Sequence, residues 1–317
     1  MHNEPELTTT HMTEVEATHE APHAIAEAHE EAASSHHEHT LFAEEVFHVG
    51  NFPITNAMLT SWLALVVVIL VSLTLRAKLS KIPSKMQHIF EIIVEGALSV
   101  CDQVTNDRKL SEKIFPLAIS IFFFVLLNNW LGILPGVGSI GLNVMKDGHE
   151  SFVSLFRGGT ADVNTTLALG LMAVVGANIF GIVSIGLWKT FNKYVNLKAL
   201  GSVFTKVRRE PTILIVAPIS FFVGVLEAVG EIAKVASLSF RLFGNVFAGE
   251  VLLASMSALV AYAVPAPFLL LEVFVGLIQA LIFSLLTVVY FTIASQDHDA
   301  HDEEHEHEHS HGVVHAS

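Results

Sequence analysis

From residue 50 onward the chain is built of long apolar runs, with polar residues gathered at its two ends and in two internal loops. A helix needs about 20 apolar residues to cross roughly 30 Å of hydrocarbon. Three runs of that length fall at residues 54–75, 114–134 and 165–188. A fourth region, 211–264, is longer than one crossing and is interrupted by charge, and a fifth runs from 265 to about 294. Between the first two lies 86–104, where Ile89, Ile92, Ile93 and Leu98 alternate with Glu91, Glu95 and Asp102. That pattern predicts an amphipathic helix in the interface rather than a crossing. The fold class is therefore all-α, a polytopic membrane protein of about five to six hydrophobic helices.

Basic residues set the orientation. Arg76, Lys78, Lys81, Lys85, Arg108, Lys109 and Lys113 follow the first run, and Lys189, Lys193, Lys198, Lys206, Arg208 and Arg209 follow the third. Five crossings put both loops on one side, which the positive-inside rule makes cytoplasmic. The N-terminus is then expected outside and the C-terminus inside.

Composition sharpens this picture. Only 15% of residues are charged, against about a quarter in soluble domains, and most acids are terminal. Residues 1–49 hold 11 Asp/Glu and 9 His, residues 296–317 hold 7 and 7, and neither end has a Lys or Arg. Removing those 18 acids from 31 leaves 13 against 17 basic residues in 50–295, so the formal net charge of −14 becomes +4. The acidity belongs to the ends and argues against a nucleic-acid partner. Three segments follow: an acidic, His-rich outer tail (1–49), a membrane domain (50–295) and an acidic, His-rich cytoplasmic tail (296–317). The tails read as disordered and solvated; the alternative is weak divalent-metal capture by stretches such as His305–His309. Cys101, the single cysteine, excludes an internal disulfide and a thiolate cluster. The polar N-terminal tail fits neither a cleavable signal peptide nor an Arg-rich transit peptide, which favours a bacterial inner membrane.

Six charges fall where hydrocarbon is expected: Glu227, Glu231, Lys234, Arg241, Glu250 and Glu272. Each costs about 2.5–3.5 kcal/mol at mid-bilayer depth on the lenient insertion scale, so they must face water, each other or a partner. Positions 227, 231, 234, 238, 241 and 245 step by four, three, four, three and four, which places Glu227, Glu231, Lys234, Leu238, Arg241 and Asn245 on one helical stripe. Ser237 lies one turn before the arginine. A second stripe carries Glu272, Gly276, Gln279, Phe283 and Tyr290. Glu231 and Lys234 are spaced as an ordinary ion pair. Arg241 has no acid three or four residues away and cannot shed its proton. Gly224, Gly230, Ala233, Ala236, Gly244, Ala248 and Gly249 flank the stripe and would let another helix approach closely. A carboxylate on another chain is the counter-ion this arrangement points to.

The string Ser237-Leu238-Ser239-Phe240-Arg241-Leu242-Phe243-Gly244-Asn245, followed by Ala248-Gly249-Glu250, closely resembles the signature of the membrane subunit a of F-type ATP synthases. Gln279-Ala280 with Tyr290, residues 128–136 (NNWLGILPG) and Ala161-Asp162-Val163-Asn164-Thr165 resemble that family's other motifs in the right order, covering roughly 50–295. The resemblance implies a non-catalytic stator subunit with two half-channels, packed against a ring of c subunits and joined to b-type peripheral-stalk subunits, needing no cofactor. It makes Arg241 the essential arginine between the half-channels. Glu250 and Glu272, with Asn245 and Gln279 beside them, would line the outer channel, and Glu227 the inner exit path. Both members of the outer pair are acids here, so one is expected to be protonated or the two to share a proton. Val235 stands where many relatives have proline. The family also implies that 211–264 and the start of the last helix form a long, tilted hairpin carrying Arg241. Ion choice, proton or sodium, rests on the rotor site of another chain.

Other classes fit less well. A metal transporter needs intramembrane His or Asp ligands, whereas His88 and His149 lie outside the runs; an intramembrane hydrolase needs an HExxH site, an aspartate dyad or a Ser–His pair. A channel without a rotor leaves Arg241 without a counter-ion.

Overall fold

The computed structural model describes residues 42–78, 85–134, 136–146, 149–187, 213–259 and 265–296. Six helices account for most of it: α1 (Asn56–Lys78), α2 (Lys85–Thr105), α3 (Arg108–Ile133), α4 (Val163–Ile185), α5 (Ile213–Leu259) and α6 (Pro265–Ser295). All but α2 are long and apolar enough to cross a membrane, in agreement with the five apolar runs. The basic loop at 189–209, the tip at 260–264 and most of both tails lie outside the described residues.

Two short antiparallel hairpins, β1 (Glu45–Val49) with β2 (Phe52–Thr55) and β3 (Gly141–Lys146) with β4 (His149–Ser154), add strand to the all-helical expectation. The first begins at Glu45, inside the stretch 1–49 expected to be tail. Val46 is buried, the Asn56 amide donates to the Glu44 carbonyl at 3.1 Å, and Gly50 turns the hairpin at φ +65°, which glycine adopts at no steric cost. Residues 42–49 are thus structured chain, tied to the start of α1.

Residue type explains the helix ends. Asp162 caps α4, accepting from the Thr165 amide at 3.2 Å and its hydroxyl at 3.0 Å, while its other oxygen accepts from the Ala43 amide at 3.3 Å. The signature aspartate is therefore a buried cap that also holds the chain ahead of β1. Asp162→Ala is expected to cost about 2 kcal/mol, from a lost cap and an unpaired amide. Thermal unfolding of the purified protein should show the drop, and an unchanged midpoint would refute the capping role.

α6 is the central helix, packed on α3, α4 and α5. One core cluster joins Ile121, Val125, Leu169, Ala173, Leu238, Leu242, Ala280 and Phe283; a second joins Cys101, Ile114, Ala118, Ala177, Val288 and Phe291. Burial pushes the Cys101 thiol up, with the Asp102 carboxylate adding to it, so the cysteine is a packing residue. α1 packs mainly on α3 and leaves Leu65, Val66, Ile69 and Leu70 on an open face, as lipid contact demands. α5 runs unbroken for 47 residues, about 70 Å at 1.5 Å per residue. That is more than twice the hydrocarbon thickness of about 30 Å, so α5 cannot stand upright within it.

Candidate functional site

The polar groups of α5 and α6 separate into three places along α5. Toward its N-terminal half, Lys234 Nζ lies 2.7 Å from Glu231 Oε1, the expected ion pair. Asn178 of α4 donates to the other Glu231 oxygen at 3.1 Å, and the ammonium sits 5.6 Å above the centre of the Tyr290 ring. Glu227 lies one turn earlier, half-buried.

In the middle, the two stripes meet: Asn245 Nδ2 donates to Gln279 Oε1 at 2.7 Å. Gln279 is buried, and among the described residues its own Nε2 has no partner, as is true of the Ser239 hydroxyl. Buried donors in this state are places for ordered water or a transient acceptor.

Arg241 lies beside them but points away. It is exposed, and its one hydrogen bond among the described residues is a long one, 3.5 Å from Nη2 to Ser237 Oγ. Among the described residues its guanidinium meets no carboxylate; the acids of α5 are taken by Lys234 and by Arg157 or lie elsewhere. The surface around it is made of small side chains. Gly230, Ala233, Ser237, Arg241, Gly244 and Ala248 step along one open face, and a Cβ added at Gly230 or Gly244 would meet nothing within 4 Å. Ile232 and Phe240 are exposed on its flanks.

Toward the C-terminal half, Glu250 is bound by Arg157, which the sequence reading did not single out. Nε donates to both carboxylate oxygens, at 3.1 and 3.2 Å, and Nη2 donates to Oε2 at 3.2 Å. Both Glu250 oxygens are thus engaged by a cation. Glu272 is buried on α6 against the backbone of Gly249, where an added Cβ would collide with its carboxyl group. Among the described residues its carboxyl makes no hydrogen bond or ion pair. The one sequence signal for Arg157 was its place as a base shortly before the Asp162 motif.

The Asn128–Trp130 motif holds these helices together. Asn129 donates to the Gly276 carbonyl at 3.0 Å and accepts from Thr160 at 2.6 Å, and Trp130 donates to the Val273 carbonyl at 3.1 Å. Asn128 accepts from Ser61 at 3.0 Å. Gly132 permits this junction, because a Cβ there would lie 2.6 Å from the Gly158 backbone. The motif thus fixes the height of Glu272 and Gln279 on α6.

Comparison with known proteins agrees with this architecture. The ATP synthase A chain family matches residues 58–292. ATP synthase subunit a of Mycobacterium bovis is 33% identical over 254 residues, covering 78% of this chain and 89% of that one. The subunit a of Syntrophobacter fumaroxidans is 31% identical over 254 residues, covering 80% and 90%, and that of Moorella thermoacetica 28% over 246, covering 78% and 93%.

Proposed function

The chain belongs to the ATP synthase A chain family, the subunit a family of the F-type enzymes, and from that premise we propose that it conducts protons past a rotor through two half-channels separated by Arg241. It is a multi-pass helical membrane protein. The observation that carries the proposal is the exposed guanidinium of Arg241, set in a stripe of small residues and unmatched by any acid of its own chain among the described residues. Such a surface is suited to close approach by another helix bearing a carboxylate. As that carboxylate passes, the fixed cation stabilises its ionised form in low dielectric. Because Arg241 neither takes nor gives a proton, it also prevents direct leakage from one half-channel to the other.

Glu272, Gln279 and Asn245, with Glu250 nearby, form the outer half-channel in this reading. Glu227 belongs to the inner exit path, with Ser237 and Tyr290 beside the route. The c-ring and the b-type stalk subunits are the partners, the bacterial inner membrane is the location, and the chain itself performs no bond chemistry. The proton-motive force supplies about 2.3 kcal/mol per charge per 100 mV.

Cross-linking tests the docking face. A cysteine at Gly244 should form a disulfide with one placed beside the rotor carboxylate, in a complex that co-purifies with the ring. One at Val66, on the open face of α1, should not. The buried Cys101 adds little background. Equal cross-linking from both positions, or from neither, refutes the assignment of this face.

A further inference from the structure

We propose that Arg157 is a positioning residue of the outer proton path, clamping Glu250 as a fixed ion pair and leaving Glu272 as the acid of the two that exchanges protons. The proposal rests on the reading of the chain given above.

Arg157 is 8% exposed and anchored on several sides. Its amide donates to Thr60 Oγ1 at 3.2 Å, Nη1 donates to the Phe42 carbonyl at 3.1 Å, and Nε and Nη2 grip Glu250. The clamp joins the chain ahead of β1, helix α1, the segment before α4, and α5. A buried guanidinium cannot become neutral, so a proton placed on Glu250 would strand that cation, at the heavy cost of an uncompensated buried charge. Glu250 is therefore a poor proton carrier. Glu272 differs in each respect. It sits one residue along from Glu250, over Gly249, with no cation on it and no hydrogen bond among the described residues. It also lies on the same face of α6 as Gln279, two turns away.

Among the described residues, the charged groups around the clamp are Arg157 from the segment before α4, Glu272 from α6, and Asp162 at the start of α4, with Glu44 and Glu45 following Phe42 in the chain. Asp162 is committed to capping α4 and to the Ala43 amide. Without Arg157, Glu250 loses the cation that holds it ionised and can take up a proton.

The test is passive proton flux through the complete membrane sector in vesicles, followed as the pH on the outer side is varied. The parent protein should show one titration step. Arg157→Gln should lower flux about tenfold at neutral pH and add a second step, and Arg157→Gln/Glu250→Gln should lose that second step. A purely structural Arg157 would lower the amount of complex without changing the profile. An Arg157→Gln profile of unchanged shape, or a second step that survives in the double variant, overturns the proposal. Should Arg157→Gln fail to assemble, the double variant decides. With neither charge stranded it is expected to assemble, and its absence from the complex overturns the clamp. Failure of the underlying reading looks different: flux would then be indifferent to Glu272→Gln in every background.

Discussion

Replacing Arg241 with alanine is expected to abolish proton-driven ATP synthesis in the reconstituted complex, a loss of at least about a hundredfold, since a unit charge pair at close range in a partly dry site is worth several kcal/mol. Assembly should survive. The side chain is exposed and, among the described residues, holds only a 3.5 Å contact to Ser237, so its removal strands no buried group there. Arg241→Lys should fail nearly as badly, because an ammonium covered by the docked rotor helix can lose its proton and the planar fork is gone. Assembled complex that still makes ATP at the parent's rate would remove Arg241 from the mechanism.

The second large effect is expected at Glu272. Glutamine keeps the shape of the side chain and cannot carry the proton, so passive flux through the membrane sector should fall on the order of a hundredfold, the scale of a lost acid–base group. Gly249→Ala makes a companion test from the opposite helix. Its new methyl would collide with the Glu272 carboxyl, the far end of a flexible side chain, which can swing aside at small cost to the fold. Flux should therefore drop while the amount of complex holds. Normal flux in both variants would leave Glu272 a packing residue.

The helices were legible in the sequence because hydrocarbon imposes one rule, length of apolar run, that needs no tertiary knowledge. Residues 114–134 were expected where Arg108–Ile133 forms, and 165–188 where Val163–Ile185 forms. The Glu231–Lys234 pair was legible for a similar reason, since helical spacing alone brings i and i+3 together. Contacts between distant segments were not. Arg157 and Glu250 are 93 residues apart, in a loop and a helix, and no local pattern announces their meeting. The sequence therefore presented Glu250 and Glu272 as a pair of acids, without the cation that binds one of them. The two β-hairpins escaped because each strand is too short for its alternation to stand out against apolar neighbours. The Asp162 motif was found as a signature, but its capping role depended on the Ala43 amide arriving from far away.

The unbroken course of α5 makes it a ruler. Glu231 lies ten residues before Arg241 and Glu250 nine after it, so one rigid rod sets the two polar ends roughly 28 Å apart with the cation midway. That interval nearly equals the oil layer itself. Side chains between the marks can vary, but their number cannot: one inserted residue would rotate Glu250 about 100° relative to Arg241, turning it off Arg157 without altering a single chemical group.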